Sequence, residues 1–331
     1  MFGRGLTTIR DYSMTLALLL LFGITLLLLG GHYLVRHAVE LAAKLNVPPL
    51  VIGLTIVAFG TSAPELVISV GAVLTGHDDI VIGNIIGSNI ANLLLVLAVS
   101  ALIFPVKVVR RTSGREGAIL TGATVLFGWL CWNGQVSPVE GGVLLASLGA
   151  YIAFAFLAPP KAPARQAGEE IAATAGTAAG HSLRGSLMFN ILAIALSLAA
   201  LAGGSQLFVD GAVRLSLLLG LSEAVIGLTV VAVGTAAPEI VTAAAAAWNR
   251  HTDVGIGNVI GSSIFNLLGI AGFTALVSPI DVGAQFIEAD IGILLAASAG
   301  VVVLALALGR LGRRAGLLLL TAYATYILQL G

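Results

Sequence analysis

Long apolar runs, separated by short stretches holding charged residues, glycine or proline, dominate the chain. A helix needs about 20 mostly apolar residues to cross the hydrocarbon of a bilayer. Ten runs qualify, at residues 14–44, 47–74, 80–103, 117–133, 139–157, 186–219, 222–247, 254–277, 288–308 and 315–330, the fourth and tenth being short. The pattern predicts an all-α polytopic membrane protein of about ten transmembrane helices. Met1 to Ser13, with Arg4, Arg10 and Asp11, reads as a tail before the first span. A secretory signal is set aside, because the following run is long and no small-residue cleavage site ends it. Residues 159–185, from Pro159 to Gly185, break the pattern with Pro, Ala, Gly, Glu169 and Glu170, and read as a linker too short for a folded domain. The expected organisation is five spans in 1–158, a linker in 159–185 and five spans in 186–331.

The two halves repeat one another. GLTIVAFGTSAPE at 53–65 returns as GLTVVAVGTAAPE at 227–239, and GNIIGSNIANLL at 83–94 returns as GNVIGSSIFNLL at 257–268. Between 51–92 and 225–266, 24 of 42 positions are identical without a gap. The narrow composition of membrane segments accounts for shared Leu, Val and Ala. It does not account for Thr61/Thr235, Pro64/Pro238, Glu65/Glu239, Asn84/Asn258, Ser88/Ser262 and Asn92/Asn266. Five spans separate each motif from its copy, so the copies cross in opposite directions. Inverted repeats of this kind build many secondary transporters, with ion sites at the repeat interface near the midplane.

Charge sets the orientation. Lys44, Lys107, Arg110, Arg111, Arg115, Lys161, Arg165, Arg184, Arg250, Arg310, Arg313 and Arg314 fall in one set of alternating connections. The opposite set holds only Arg4 and Arg10, while Asp78, Asp79, Glu140, Asp281 and Glu288 gather there. The positive-inside rule places the basic side and the central linker in the cytoplasm and both termini outside. The overall balance is zero, 16 basic against 16 acidic residues, with 58% hydrophobic and 10% charged residues and a mean hydropathy of +1.05. That composition excludes a soluble domain and gives no basis for nucleic-acid binding. A single cysteine, Cys131, excludes an internal disulfide framework.

Two acids stand apart from the surface. Glu65 and Glu239 each lie near the middle of an apolar span, where an acidic residue costs roughly 2.5–3.5 kcal/mol. A buried carboxylate persists by protonating, pairing or binding a cation, and no Lys or Arg lies at comparable depth in the motif spans. One such glutamate could be a protonated, hydrogen-bonded group; two at equivalent positions favour a cation. Pro64 and Pro238 precede them, so each helix should kink and loosen the carbonyls of the preceding turn, including Ala58, Thr61, Ala232 and Thr235. Carbonyls freed at that depth are tolerated in protein or against a watery cavity, where they can hold ions. Ser88 and Asn92, like Ser262 and Asn266, are four apart and share a helix face. Oxygen-only ligation suits hard cations, and calcium accepts irregular geometry better than magnesium does. Gly83/Gly87 and Gly257/Gly261 read as helix-packing residues. Asn84 and Asn258 suit a ligand or a supporting role equally. His77, Asp79, His251 and Asp253 read as helix-end residues, and Asp210 with Arg214 as a local pair one turn apart.

Two copies of G-T-x-A-P-E followed by G-N-x-I-G-S-x-I-x-N resemble the alpha repeats of the calcium/cation antiporter superfamily, with the prokaryotic sodium/calcium exchanger branch the nearest likeness. The resemblance covers both repeats and the ten-span layout. It implies exchange of sodium for calcium by alternating access. Carried over by position, Glu65 and Glu239 with the carbonyls of Thr61 and Thr235 are the expected calcium site. The carbonyls of Ala58 and Ala232 and the hydroxyls of Ser88 and Ser262 are expected to help form sodium sites, with Asn92 and Asn266 lining the centre. The GNAVEH-like signature of proton/calcium members is absent. Ser62 is matched by Ala236, which removes one hydroxyl, and Asn266 stands where some members carry Asp. Both departures bear on sodium stoichiometry and potassium dependence.

The expected partners are calcium and sodium ions and the bilayer, in a bacterial or archaeal plasma membrane, with no cofactor, nucleic acid or protein partner required. The rival readings are a proton- or other-cation-coupled exchanger and a passive cation channel. An intramembrane enzyme is disfavoured, since the chain has no HExxH, no GxGD-type aspartate pair and no Ser/His pair at matched depth.

Overall fold

A computed structural model describes residues 2–108, 110–158, 186–218 and 232–329; the expected linker and residues 222–231 of the seventh span lie outside them. The first half contains α1 (Phe2–Leu45), α2 (Pro49–Thr61), α3 (Ala63–Leu74), α4 (Asp78–Ile103), β1 (Val106–Lys107), α5 (Arg110–Cys131), β2 (Gln135–Val136) and α6 (Pro138–Leu157). The second contains α7 (Leu187–Leu218), α8 (Ala232–Thr235), α9 (Ala237–Trp248), α10 (Thr252–Val277), β3 (Ile280–Asp281), α11 (Phe286–Leu308), β4 (Arg310–Leu311) and α12 (Arg313–Gln329).

Among the described residues, α1 from Leu18, α4, α6, α7, α10 and α11 are long and apolar enough to cross a membrane, and α2 with α3 makes a bent seventh span. Charges in its first turns keep α5 out of that group, and α12, with 17 residues, reaches about 26 Å. With α8 and α9 these complete the ten-span layout. Phe2–Ser13, the expected tail, is helical and continuous with α1, whose apolar span begins at Leu18. No proline precedes Pro48, so nothing in the sequence stops that helix before Leu45.

Inversion of the repeats is visible in the packing. A methyl placed on Gly23 of α1 would lie 2.7 Å from the Phe208 nitrogen, and one on Gly30 would lie 3.0 Å from the Ser197 carbonyl. Contacts that move forward along α1 thus move backward along α7, and the two equivalent helices are antiparallel. Only glycine admits such an approach. Similarly, α10 lies alongside α2 in the same direction, Gly257 against Gly53 and Gly261 against Ala58, whereas α4, one span after α2, runs oppositely.

The connections obey the same symmetry. At one end of the helices β1 pairs antiparallel with β4, Val106 opposite Leu311 and Lys107 opposite Arg310. At the other β2 pairs with β3, Gln135 opposite Asp281 and Val136 opposite Ile280, and the Asp281 amide donates to Asp78 at 3.0 Å. Since α4 runs from Asp78 toward β1, the two ribbons cap opposite ends. Thr124 and Ser298, counterparts in the repeat, share a 3.2 Å hydrogen bond between α5 and α11. A residue can touch its own counterpart only at the axis relating the copies.

Two apolar clusters divide the interior. The larger joins α4, α5, α6, α10, α11 and α12. The smaller joins α1 and α7 to α2, through residues such as Leu34, Ile194, Leu201 and Val57.

Candidate ion-binding site

Each repeat delivers its glutamate from a broken helix. α2 and α3 meet at Ser62, where the chain leaves helical geometry (φ −85°, ψ 4°), with a 43° bend. α8 and α9 break at the equivalent Ala236 (φ −79°, ψ 1°). Pro64 and Pro238 begin the following helices, so the amide that would bridge each break is missing. Glu65 and Glu239 lie in the first turns of α3 and α9 and are only 2% and 1% exposed. Their carboxylates are within electrostatic reach of one another.

The first-repeat turn reaches into the second repeat. Thr61 Oγ1 donates to Asn258 Oδ1 at 3.0 Å, lies 3.3 Å from the Ala58 carbonyl and 3.2 Å from Ser262 Oγ. Ser262 Oγ in turn lies 3.4 Å from the Ala58 carbonyl. Ser62 Oγ donates to Glu239 Oε1 at 3.5 Å, an interaction that Ala236 cannot return to Glu65. Four expected site residues, Ala58, Thr61, Ser262 and Glu239, thus share one neighbourhood.

The first-repeat counterpart is held differently. Ser88 Oγ donates to the Asn84 carbonyl of its own helix at 2.5 Å. Asn84 Nδ2 donates to the Glu65 carbonyl at 3.0 Å and to Ser69 Oγ at 2.9 Å, pinning α4 to α3. Asn92 and Asn266 are buried, each the second residue of an equivalent π-helical turn, Ala91–Val96 and Phe265–Ile270. Such turns recur at functional sites. Thr235 ends α8 and is half-buried; of Ala232, only the backbone is described.

Of the expected site residues, Glu65 Oε2, Glu239 Oε2 and Asn266 Oδ1 are buried and find no hydrogen-bond donor among the described residues. Leaving a buried acceptor unmade is costly, and a bound cation would satisfy it. The donor set of carboxylate, amide and hydroxyl oxygens is that of a hard cation.

Several residues were not foreseen. Ser69 has no counterpart hydroxyl, being matched by Ala243. Ser205 of α7 donates to the Gly234 carbonyl at 2.6 Å. Glu116, 1% exposed, is paired with Arg115 and accepts from the Tyr151 hydroxyl at 3.3 Å. The apolar share of a span conceals such residues, although the repeat shift would have shown Ser205 opposite Gly31. Asp210 and Arg214, expected to pair, are both exposed, and no ion pair joins them among the described residues. The spacing permits a pair, but two exposed side chains gain little by making one. His77 and His251 precede the first turns of α4 and α10 as helix-end residues, and the described residues contain no His/Cys/Asp/Glu cluster suited to a metal.

Comparison with known proteins settles the family. A profile described as sodium/calcium exchanger protein matches residues 15–157 and 182–330. The chain belongs to the sodium/calcium exchanger family. It is 32% identical to the sodium/calcium exchanger MaX1 of Methanosarcina acetivorans, over 95% of this chain and 97% of that protein. It is 31% identical to the inner membrane protein YrbG of Escherichia coli, over 94% and 95% of the two chains. Its fold matches the sodium-calcium exchanger NCX_Mj with a TM-score of 0.80 at 28% identity, covering 96% of this chain and 99% of that one. Membership makes this a multi-pass membrane protein of a cation-antiporter family, a family of transporters.

Proposed function

We propose that the protein exchanges sodium for calcium, with both ions competing for a site built by Glu65 and Glu239. The observation that carries this reading is a pair of buried carboxylates, one from each antiparallel repeat, each with an oxygen that finds no donor among the described residues. Two fixed negative charges balance one calcium ion. The carbonyl of Thr235 and that of Thr61 complete its shell, while Ala58 with Ser262, and Ala232 with Ser88, contribute to sodium sites; Asn92 and Asn266 line the centre. The close approach of Ala58, Thr61 and Ser262 supports the second-repeat half of this assignment. Loaded and empty sites differ in stability, because an empty pair of carboxylates repels, and that difference couples the two fluxes.

The reading places the protein in a prokaryotic plasma membrane, with the β1–β4 end and the 159–185 linker in the cytoplasm and the two repeats at 1–158 and 186–331. Basic residues at the β1–β4 end and acidic ones at the β2–β3 end support that orientation. The test is calcium uptake into proteoliposomes loaded with sodium. Uptake should follow the imposed outward sodium gradient. Uptake that ignores sodium and follows a proton gradient would replace sodium by protons in the scheme, and single-channel currents would replace the carrier.

A further inference from the structure

The two proline breaks leave the same backbone group without its helical donor: Pro64 cannot bond the Gly60 carbonyl, and Pro238 cannot bond that of Gly234. In the second repeat the deficit is made good from α7. Ser205, 5% exposed, donates its hydroxyl to the Gly234 carbonyl at 2.6 Å. At the equivalent place on α1 stands Gly31, which has no hydroxyl; a methyl there would lie 2.7 Å from Val241 of α9.

The bond ties α7 to the turn that precedes α9. α1 and α7 are packed on each other through Gly23, Gly30 and Gly204 and belong to the smaller apolar cluster. α9 is covered by α1, with Thr242 fully buried. α3 has no comparable cover, and its Val67 is 72% exposed. The α1–α7 pair therefore touches both breaks, with Leu198 of α7 over Gly60, but it covers only α9 of the two helices that carry the glutamates.

We propose that Ser205 is a positioning residue that favours this arrangement over the opposite one, in which the pair would cover α3. In an inverted-repeat carrier the opposite state is reached as the repeats trade roles, and Gly31 would then meet Gly60 with no donor to offer. The bond forms in one state only, so it biases the two-state balance and ties the turn before Glu239 to the α1–α7 pair. This inference rests on the alternating-access reading above.

The test does not depend on transport. Cysteines at G31C and V241C, adjacent only while α1 covers α9, are joined by an oxidant; the native Cys131 is buried and does not compete. One net hydrogen bond corresponds to a population ratio of about fivefold. Cross-linking should slow when S205A is added, by at most that factor because the rate follows the population of the covered state, and recover with S205T, which keeps the hydroxyl. An unchanged rate in S205A, even with a lowered melting temperature, reduces Ser205 to a structural brace and overturns the proposal. An S205T variant as slow as S205A overturns it as well. A chain that cross-links as expected but shows no sodium-driven calcium flux contradicts the proposed function and leaves the role of Ser205 intact.

Discussion

The two repeats place the same residues on the same backbone path and then hold them by different means. In the first, Asn84 ties α4 to the Glu65 carbonyl and to Ser69, all within one repeat. In the second, the equivalent Asn258 uses its oxygen to accept from Thr61 of the other repeat, and its Nδ2 finds no acceptor among the described residues. Ser62 supports Glu239, whereas Ala236 cannot support Glu65. Ser205 holds Gly234, and Gly31 holds nothing. The proposed ligands follow the symmetry, while the side chains that hold them depart from it. A site shared by two repeats needs matched ligands, but two conformational states of unequal stability need unmatched supports.

The largest effect should come from breaking what is common. Removing one member of a buried charge arrangement costs about 3–5 kcal/mol, so E65Q and E239Q should each reduce calcium exchange by roughly 100-fold or more, measured as initial uptake in proteoliposomes. Unequal losses would show that the two repeats are not equal contributors of charge. Next come the supports. T61V leaves Asn258 Oδ1 without its cross-repeat donor and Ser262 with the Ala58 carbonyl alone, and should lower the calcium affinity about tenfold while expression and folding persist. A loss of melting temperature with unchanged affinity would make Thr61 a packing residue.

A smaller effect separates the asparagines. S69A removes a partner of Asn84, and a membrane hydrogen bond averages about 0.6 kcal/mol, so the melting temperature in detergent should fall by one or two degrees. A243S, which supplies the missing hydroxyl near Asn258 Nδ2, should shift it slightly upward. Equal and opposite shifts would sharpen the comparison, and a fall in both would break it. The smallest effect concerns His251, at the surface end of α10. Burial holds its imidazole below the ordinary histidine value, with Asp253 opposing. The folded state then binds the proton less readily than the unfolded state, so stability declines as the pH falls through about 6.5. H251N should flatten the melting-temperature profile between pH 7 and 5.

Much of this architecture was legible in the residues. Apolar runs marked the spans, the 174-residue shift from Glu65 to Glu239 and from Asn92 to Asn266 revealed the repeat, and Pro64 and Pro238 announced the breaks. Ser205, Ser69 and Glu116 were not found, because a lone polar side chain in an apolar span gives no sign of its partner until the helices are packed. The π-helical turns around Asn92 and Asn266 also escaped notice, since no residue type demands them. The helical form of Phe2–Ser13 also escaped notice, because charge ahead of an apolar span does not show whether the segment is helical.

The central claim is a single calcium site made jointly by the repeats, and calorimetric titration of the purified protein tests it most directly. One calcium ion should bind per chain, sodium should displace it competitively, and E65Q and E239Q should each abolish the signal. Two independent sites, each lost in only one variant, or full calcium binding in either variant, would contradict the account.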